Sequence, residues 1–303
     1  MALTFLLGNH RSGTTWLYQL LAGTGRFSVL TAHHVIGWDA WTAWWAGRGP
    51  RPDDLALAER FAALGIARRQ GDDVPLTPDL PEEYGYLLQN AGLGHGFSAR
   101  SLPLLHEIAG HLAQDGRPVV LKNPWDYGNF RALAAAFPDA RFVFIHRHPL
   151  RVIHSTAVMF RDMWARRDAY GALISRRYVR NWDTPWRKRI FTWLAGPGLG
   201  WVVDGIGLGV AAANRHYVAH IAELPPERRL SLRYEDLCAH PEQELARILR
   251  FCGVPDAAVP VPPRPIDRGL LPEVARRQAR LGRAMGPYLA ALGYGADGEV
   301  GPG

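Results

Sequence analysis

Apolar residues along this chain follow two rhythms. Short, nearly unbroken runs at Leu3–Leu7, residues 118–122 and Arg141–His146 have the length and content of buried strands, and residues 229–234 are expected as a fourth strand. Elsewhere apolar residues recur every three or four positions, as a helix with one buried face requires. Trp16, Leu17, Leu20 and Leu21 do so until Gly23-Thr24-Gly25; Leu55, Ala58, Phe61, Ala62 and Ile66 do so within residues 53–69. Leu102–Leu112 and residues 131–137 are further helices, and Pro241 opens one that carries Leu245, Ile248, Leu249 and Cys252 and stops at Gly253. Pro81-Glu82-Glu83-Tyr84 places proline at a favoured first helical position with acids in the first turn, so a helix is expected to open there. A proline-rich linker over residues 260–265 leads to a last expected helix over residues 272–292. Strands alternating with amphipathic helices force crossover connections. The expectation is an α/β fold: one domain over residues 1–303, with a central, mainly parallel sheet flanked by helices.

The junction after the first strand carries the chemistry. Gly8 and Gly13 bracket a loop that runs directly into the first helix, so successive backbone N–H groups and the helix N-terminus converge on one spot suited to an anion. The Gly-x-x-x-x-Gly spacing is that of a Walker A loop, but Thr14 stands where the lysine should be, and the cation lies inside the loop as Arg11. The second long strand ends in Lys122 and the third in Arg147, where strands of an open α/β sheet deliver residues to a ligand crevice. Ser155 follows Arg147 on the next helix. Three cations from three strand ends, with hydroxyls at Ser12, Thr14, Thr15 and Ser155, describe a ligand with two separated phosphates.

Composition narrows the setting. With 303 residues, 48% of them hydrophobic, the chain can bury one large core without a second domain. Its net charge of +7 suits an anionic ligand. Nucleic acid is disfavoured, because the basic residues are scattered except between Arg176 and Arg189. Cys238 and Cys252 lack metal-ligand spacing and read as helix-packing residues of a reduced, cytoplasmic protein; no metal constellation is expected. The first apolar run is too short for a signal peptide and starts without a basic flank. Residues 190–213 are apolar but contain Asp204, Pro197 and six glycines, so a flexible lid or an apolar substrate wall is expected there rather than a transmembrane segment.

Arg11-Ser12-Gly13-Thr14-Thr15-Trp16 resembles the 5′-phosphosulfate loop of sulfotransferases that use 3′-phosphoadenosine-5′-phosphosulfate (PAPS). Arg147-His148-Pro149 with Ser155 resembles their 3′-phosphate motif, and residues 137–142 and 233–237 are similar to other family segments. The resemblance runs with gaps from about residue 3 to about residue 253. It implies a P-loop-like fold and PAPS as cosubstrate without a metal. Residues 11–15 would hold the 5′-phosphosulfate, and Arg147 and Ser155 the 3′-phosphate. Trp16 would stack on adenine with Tyr234 bordering it, and Arg268-Gly269 would add a C-terminal phosphate contact. Segments 35–115 and 160–225 match little and are where acceptor binding varies. Their aromatic and glycine-rich character points to a bulky apolar alcohol, phenol or lipid.

Sulfuryl transfer needs cations at the oxygen that departs, and Arg11 and Lys122 fill that role. It also needs a base. Some relatives place a histidine shortly after the strand-end lysine, where this chain has Pro124; others place a glutamate some way after the loop arginine, where this chain reads Thr31-Ala32-His33-His34. Histidine is the commonest general base. His33 or His34 is therefore the expected base, with Glu82 or Glu83 next. His10 and His146, beside the phosphate motifs, are expected to help bind anions or to satisfy backbone groups rather than to remove protons, and Glu235 and Asp236 to make structural hydrogen bonds. The alternatives are a P-loop kinase or nucleotide hydrolase, and a catalytically inactive nucleotide-binding relative.

Overall fold

The computed structural model describes residues 2–71, 73–260 and 269–295. Within them lies a sheet of β1 (Leu3–Leu7), β2 (Ser28–Val29), β3 (Val119–Lys122), β4 (Arg141–His146) and β5 (Arg229–Arg233). The spatial order is β2-β3-β1-β4-β5, and every neighbouring pair is parallel. The four expected strands form. β2 has only two residues, too few to show a period in the sequence.

Alternation along each strand explains how the sheet is covered. Phe5, Leu7, Val119, Leu121, Phe142 and Phe144 point to one face and join one core; Leu6, Val120, Val143 and Ile145 point to the other. The helices that cover these faces are α1 (Thr14–Gly23), α2 (Ala32–Ile36), α3 (Trp38–Trp45), α4 (Asp54–Ala63), α5 (Tyr84–Asn90), α6 (Leu102–Leu112) and α7 (Phe130–Ala136). They continue with α8 (Pro149–Ala165), α9 (Ala169–Ile174), α10 (Arg176–Asp183), α11 (Pro185–Ala195), α12 (Leu199–His220), α13 (Tyr234–Ala239) and α14 (Pro241–Cys252). The first face packs on α5, α6 and α7 through residues such as Leu88, Ile108 and Leu133; the second packs on α1 and α14 through Leu17, Leu21 and Ile248. Burial on both sides is what makes the strands read as unbroken apolar runs.

Several helix boundaries differ from the periodic reading, each for a local reason. The helix expected over residues 53–69 stops at Ala63, because Gly65 turns left-handed (φ 66°) and the amides of Gly65 and Ile66 bond back to Ala62 and Phe61. Residues 81–83 are extended rather than helical: Glu82 N–H donates to Leu30 O and Ala32 N–H to Leu80 O, so α5 starts at Tyr84. The last expected helix is three short ones, α15 (Pro272–Ala275), α16 (Gln278–Ala284) and α17 (Gly286–Ala291). Arg277 is drawn aside by Asp204 at 2.7 Å, and Pro287 removes an amide at the second break. Residues 190–213, expected as a lid or an apolar substrate wall, form parts of α11 and α12, which meet at 84°. The expected linker over residues 260–265, apart from Pro260, and Arg268 of the expected phosphate contact lie outside the described residues.

Candidate active site

All strands being parallel, their C-terminal ends share one edge of the sheet, and the chain leaves that edge at each candidate residue. After β1, the loop folds on itself through Ser12 N–H to Asn9 O at 3.1 Å, with Arg11 (φ 65°) and Gly13 (φ 97°) in left-handed conformations. Glycine is required at both ends. A Cβ on Gly8 would sit 2.5 Å from Ile145 O, and one on Gly13 would enter the ring of Tyr234. No side chain caps α1 at Gly13, so its N-terminal end is left for a ligand.

Lys122, at the end of β3, is fully buried, and its Nζ lies 3.0 Å from Thr15 Oγ1 and 2.9 Å from Glu83 Oε1. Burial alone would raise the Glu83 pKa; the charge of Lys122, with that of Arg69, outweighs it and holds the carboxyl below its usual value. Glu83 is thus an anion near neutral pH. The extended Pro81–Glu83 segment and its position just before α5 aim it here. The adjacent Glu82 points elsewhere, to Arg69 Nη1 at 2.6 Å and the Tyr170 hydroxyl at 2.8 Å.

After β4, Arg147 donates from Nη1 to Arg11 O at 3.0 Å, lies 4.7 Å from the ring of Tyr234, and keeps a buried Nε with no protein partner. Arg11 Nε donates to Ser155 Oγ at 3.0 Å, which ties the loop to α8. Trp16 meets Tyr234 edge-on at 5.9 Å. A cavity of about 390 Å³ opens beside these groups, lined at this end by Arg11, Gly13, Thr14, Thr15, Arg147 and Glu83.

Residues 4–196 and 202–258 match the model of the Sulfotransferase family. The chain belongs to this family. It is 24% identical over 280 residues to the omega-hydroxy-beta-dihydromenaquinone-9 sulfotransferase Stf3 of Mycobacterium bovis, and equally to that of Mycobacterium tuberculosis, a match covering 83% of this chain. It spans 63% of the length of those relatives. Its structure is similar to that of sulfotransferase STF9 from Mycobacterium avium (TM-score 0.63, 17% identity, 98% of this chain and 78% of that one). It is also similar to STF1 from Mycobacterium tuberculosis H37Rv (TM-score 0.50, 16% identity, 95% and 76%). These likenesses speak for the fold.

Within this sulfotransferase fold, most of the expected donor-site residues meet. Arg11, Gly13, Thr14, Thr15, Trp16, Arg147 and Tyr234 line the cavity. Ser12 is buried behind the loop, Ser155 reaches it through Arg11, and Lys122 reaches it through Thr15 and Glu83. Glu235 and Asp236 are structural: Glu235 accepts from His148 N–H and the Tyr294 hydroxyl, and Asp236 pairs with Arg233.

His33 and His34 are not brought to this cavity. His33 Nδ1 is 2.5 Å from Asp54 Oδ1 with Trp41 against its ring, and His34 Nδ1 accepts the Thr31 amide at 3.1 Å in a capping box at the start of α2. Both were displaced because the chain after α1 turns to the β2 edge of the sheet. The tryptophans of α3 lie there too: Trp41, Trp44 and Trp45 line a separate recess with His34. His146 does not face the site either; it is buried with the Tyr288 hydroxyl 3.0 Å from Nδ1, and burial lowers its pKa to about 3.

The sequence reading missed the rest of the wall. His10, expected beside the loop, packs edge-on against Trp125 with its buried Nε2 unpartnered among the described residues, and burial first, with Lys122 and Arg11 against the pull of Glu83, lowers its pKa. Arg69, Trp125 and His95 complete the polar side. The opposite side is apolar: Met159, Phe160, Met163 and Trp164 of α8, Ile174 of α9 and Phe191 of α11. Trp125, three positions after the strand-end Lys122, was the one signal in reach; nothing in the pattern marks Arg69.

Proposed function

We propose that this protein transfers a sulfuryl group from PAPS to the hydroxyl of an apolar, lipid-like acceptor. The observation that carries the reading is the buried Lys122–Glu83 pair at 2.9 Å, set against the hydroxyl of Thr15 at the anion-binding loop. The residues present suit the donor. The uncapped start of α1 and the left-handed Gly13 suit a 5′-phosphosulfate, and the unpartnered Nε of Arg147 suits a second phosphate. Bound there, the donor supplies a sulfuryl group whose bond to a phosphate oxygen breaks as a bond to the acceptor oxygen forms.

Glu83 takes the acceptor's proton on a carboxylate oxygen, in place of the histidines first considered. Its pairing with Lys122 keeps it ionised but weakens it as a base. Negative charge developing near Thr15 draws the ammonium towards itself, which returns basicity to Glu83 as the proton moves. Arg11 and Lys122 stabilise the departing oxygen; removing one such preorganised group costs about a hundred- to a thousandfold in rate. The apolar wall from Met159 to Phe191 holds the acceptor. The mycobacterial relatives are named as sulfotransferases of a hydroxylated menaquinone, which supports an acceptor of that chemical kind. The variable segments 35–115 and 160–225 supply most of this wall, as proposed for acceptor choice. A kinase is not favoured: Glu235 and Asp236, the acids it would need after β5, are engaged by His148, Tyr294 and Arg233.

Isothermal titration decides between the readings. Adenosine 3′,5′-bisphosphate should bind without magnesium, and magnesium-ATP should bind far more weakly. Preference for magnesium-ATP would overturn the proposal.

A further inference from the structure

Helices α11 and α12 turn large apolar side chains towards solvent. Trp186 (60% exposed), Ile190, Trp193, Trp201 (73%) and Leu208 (75%) fall on these two helices, whereas among the described residues only Leu55 and Leu64 are comparably exposed elsewhere. Trp186, Ile190 and Trp193 stand four and three residues apart, which puts them on one arc of about 60° at 3.6 residues per turn. The inner side of α11 is already satisfied, since Phe191 stacks on Trp164 at 4.4 Å and Ala195 is buried. Among the described residues the outer arc therefore stays exposed, with no helix or strand packed over it. Apolar strips of this size on a soluble surface mark a binding face.

Charge says what covers it. Between Arg176 and Arg189 the sequence carries six basic residues and one acid, Asp183, which pairs with Arg167 at 3.4 Å. Arg187 lies 5.1 Å from the ring of Trp186, and the exposed Arg189 directly precedes Ile190, so cations flank the aromatic arc, while Lys188, 4.5 Å from the ring of Trp182, extends the basic surface on the side of α10. The one acid of α12, Asp204, is held by Arg277 and Arg280. Tryptophan flanked by arginine and lysine suits the boundary between lipid headgroups and acyl chains. No single helix among the described residues is long and apolar enough to cross a membrane, and the 84° bend between α11 and α12 suits a segment lying in the surface.

We propose that α11 and the first turns of α12 dock on a bilayer rich in anionic lipid. Trp186, Ile190, Trp193 and Trp201 enter the headgroup boundary, and Arg187, Lys188 and Arg189 meet lipid phosphates. Docking does not depend on the sulfuryl-transfer reading, but its use does: α11 also supplies Phe191 to the cavity wall, so a lipid acceptor would pass from the bilayer into the site along the docked helix.

The test is co-sedimentation of the full chain with vesicles of phosphatidylcholine alone or mixed with phosphatidylglycerol, with no nucleotide or acceptor present. Binding should be at least about tenfold stronger on the anionic vesicles and fall by a similar factor in high salt. A Trp186→Ser/Trp201→Ser variant should lose about tenfold or more in vesicle binding while keeping the melting temperature and bisphosphate affinity. Should that variant not fold, Lys188→Glu/Arg189→Glu should lose the anionic preference. Absence of vesicle binding overturns the proposal, as does a dimer in sedimentation velocity that the same substitutions dissociate, which would make a second copy the occupant. Bisphosphate titration reports on the donor site separately, so either reading can fail alone.

Discussion

Two aromatic-lined recesses lie along the same sheet, and they differ in how their charges are answered. Each is lined by three tryptophans, and the recess beside β2 also holds His34, yet its cations are matched: Arg51 faces Asp54 at 3.3 Å, and Arg117 holds Asp115 at 2.5 Å. Its histidine is spent on a helix cap. The cavity at the C-terminal edge holds a helix start with no side-chain cap, a buried guanidinium nitrogen without a partner, and one ammonium shared between Glu83 and Thr15. Aromatic rings and a histidine thus describe both places. Charge left for a ligand describes only one.

The sharpest way to break this contrast is to remove a candidate base from each side. Glu83→Gln should lower turnover by about a hundred- to ten-thousandfold while leaving adenosine 3′,5′-bisphosphate binding nearly intact. His33→Ala and His34→Gln should each cost less than about tenfold, since neither touches the cavity. Steady-state rates with labelled PAPS check this, and the opposite ranking would return the base to the β2 side.

A smaller effect tests how the donor's second phosphate is read. Arg147→Ala should weaken adenosine 3′,5′-bisphosphate by about ten- to a hundredfold, the worth of a charge-assisted contact, and adenosine 5′-monophosphate much less. Equal losses in titration would place the arginine's partner elsewhere.

The smallest effect concerns acid. Burial, chiefly, lowers the pKa of His34 and His95 to about 4 and of His146 to about 3, against 6.5 when unfolded. The unfolded chain takes up these protons first, so the stability from keeping them neutral is complete above about pH 6.5 and declines as pH falls towards 4 and then 3. His34→Gln keeps the Thr-x-x-Gln capping pattern but cannot titrate. Its melting temperature should fall less between pH 6.5 and 4 than that of the parent; identical slopes would mean that His34 is protonated in the fold.

Strands β1, β3 and β4 were legible because each is buried on both faces, so Leu3–Leu7 or Arg141–His146 needs no partner to be recognised. The loop and the strand-end cations were legible for the same reason, since their place follows from where a strand stops. Glu83 was only a reserve choice. Its direction depends on the bonding of residues 80–82 to residues 30–32, a long-range pairing that no local period announces. The identity of the base was misjudged because distance along the chain from Arg11 says nothing about the side of the sheet on which α2 emerges. Arg69 and the wall from Met159 to Phe191 come from helices whose inner and outer faces are both apolar, so periodicity does not tell cavity from core.

The strand order also bears on how the chain is made. β1 is made before every other strand of this sheet, yet it lies mid-sheet, and its neighbours are Val119 of β3 and Arg141 of β4, both more than about a hundred residues downstream. No lateral hydrogen bond of the sheet can form on β1 until the chain has been made as far as β3 (Val119–Lys122). Such a contact order favours slow folding. Until then Phe5, Leu6 and Leu7, which finish wholly buried, are exposed to the cell. The most diagnostic segment of the molecule is therefore also the one that waits longest, and it is where a nascent chain would most need a chaperone.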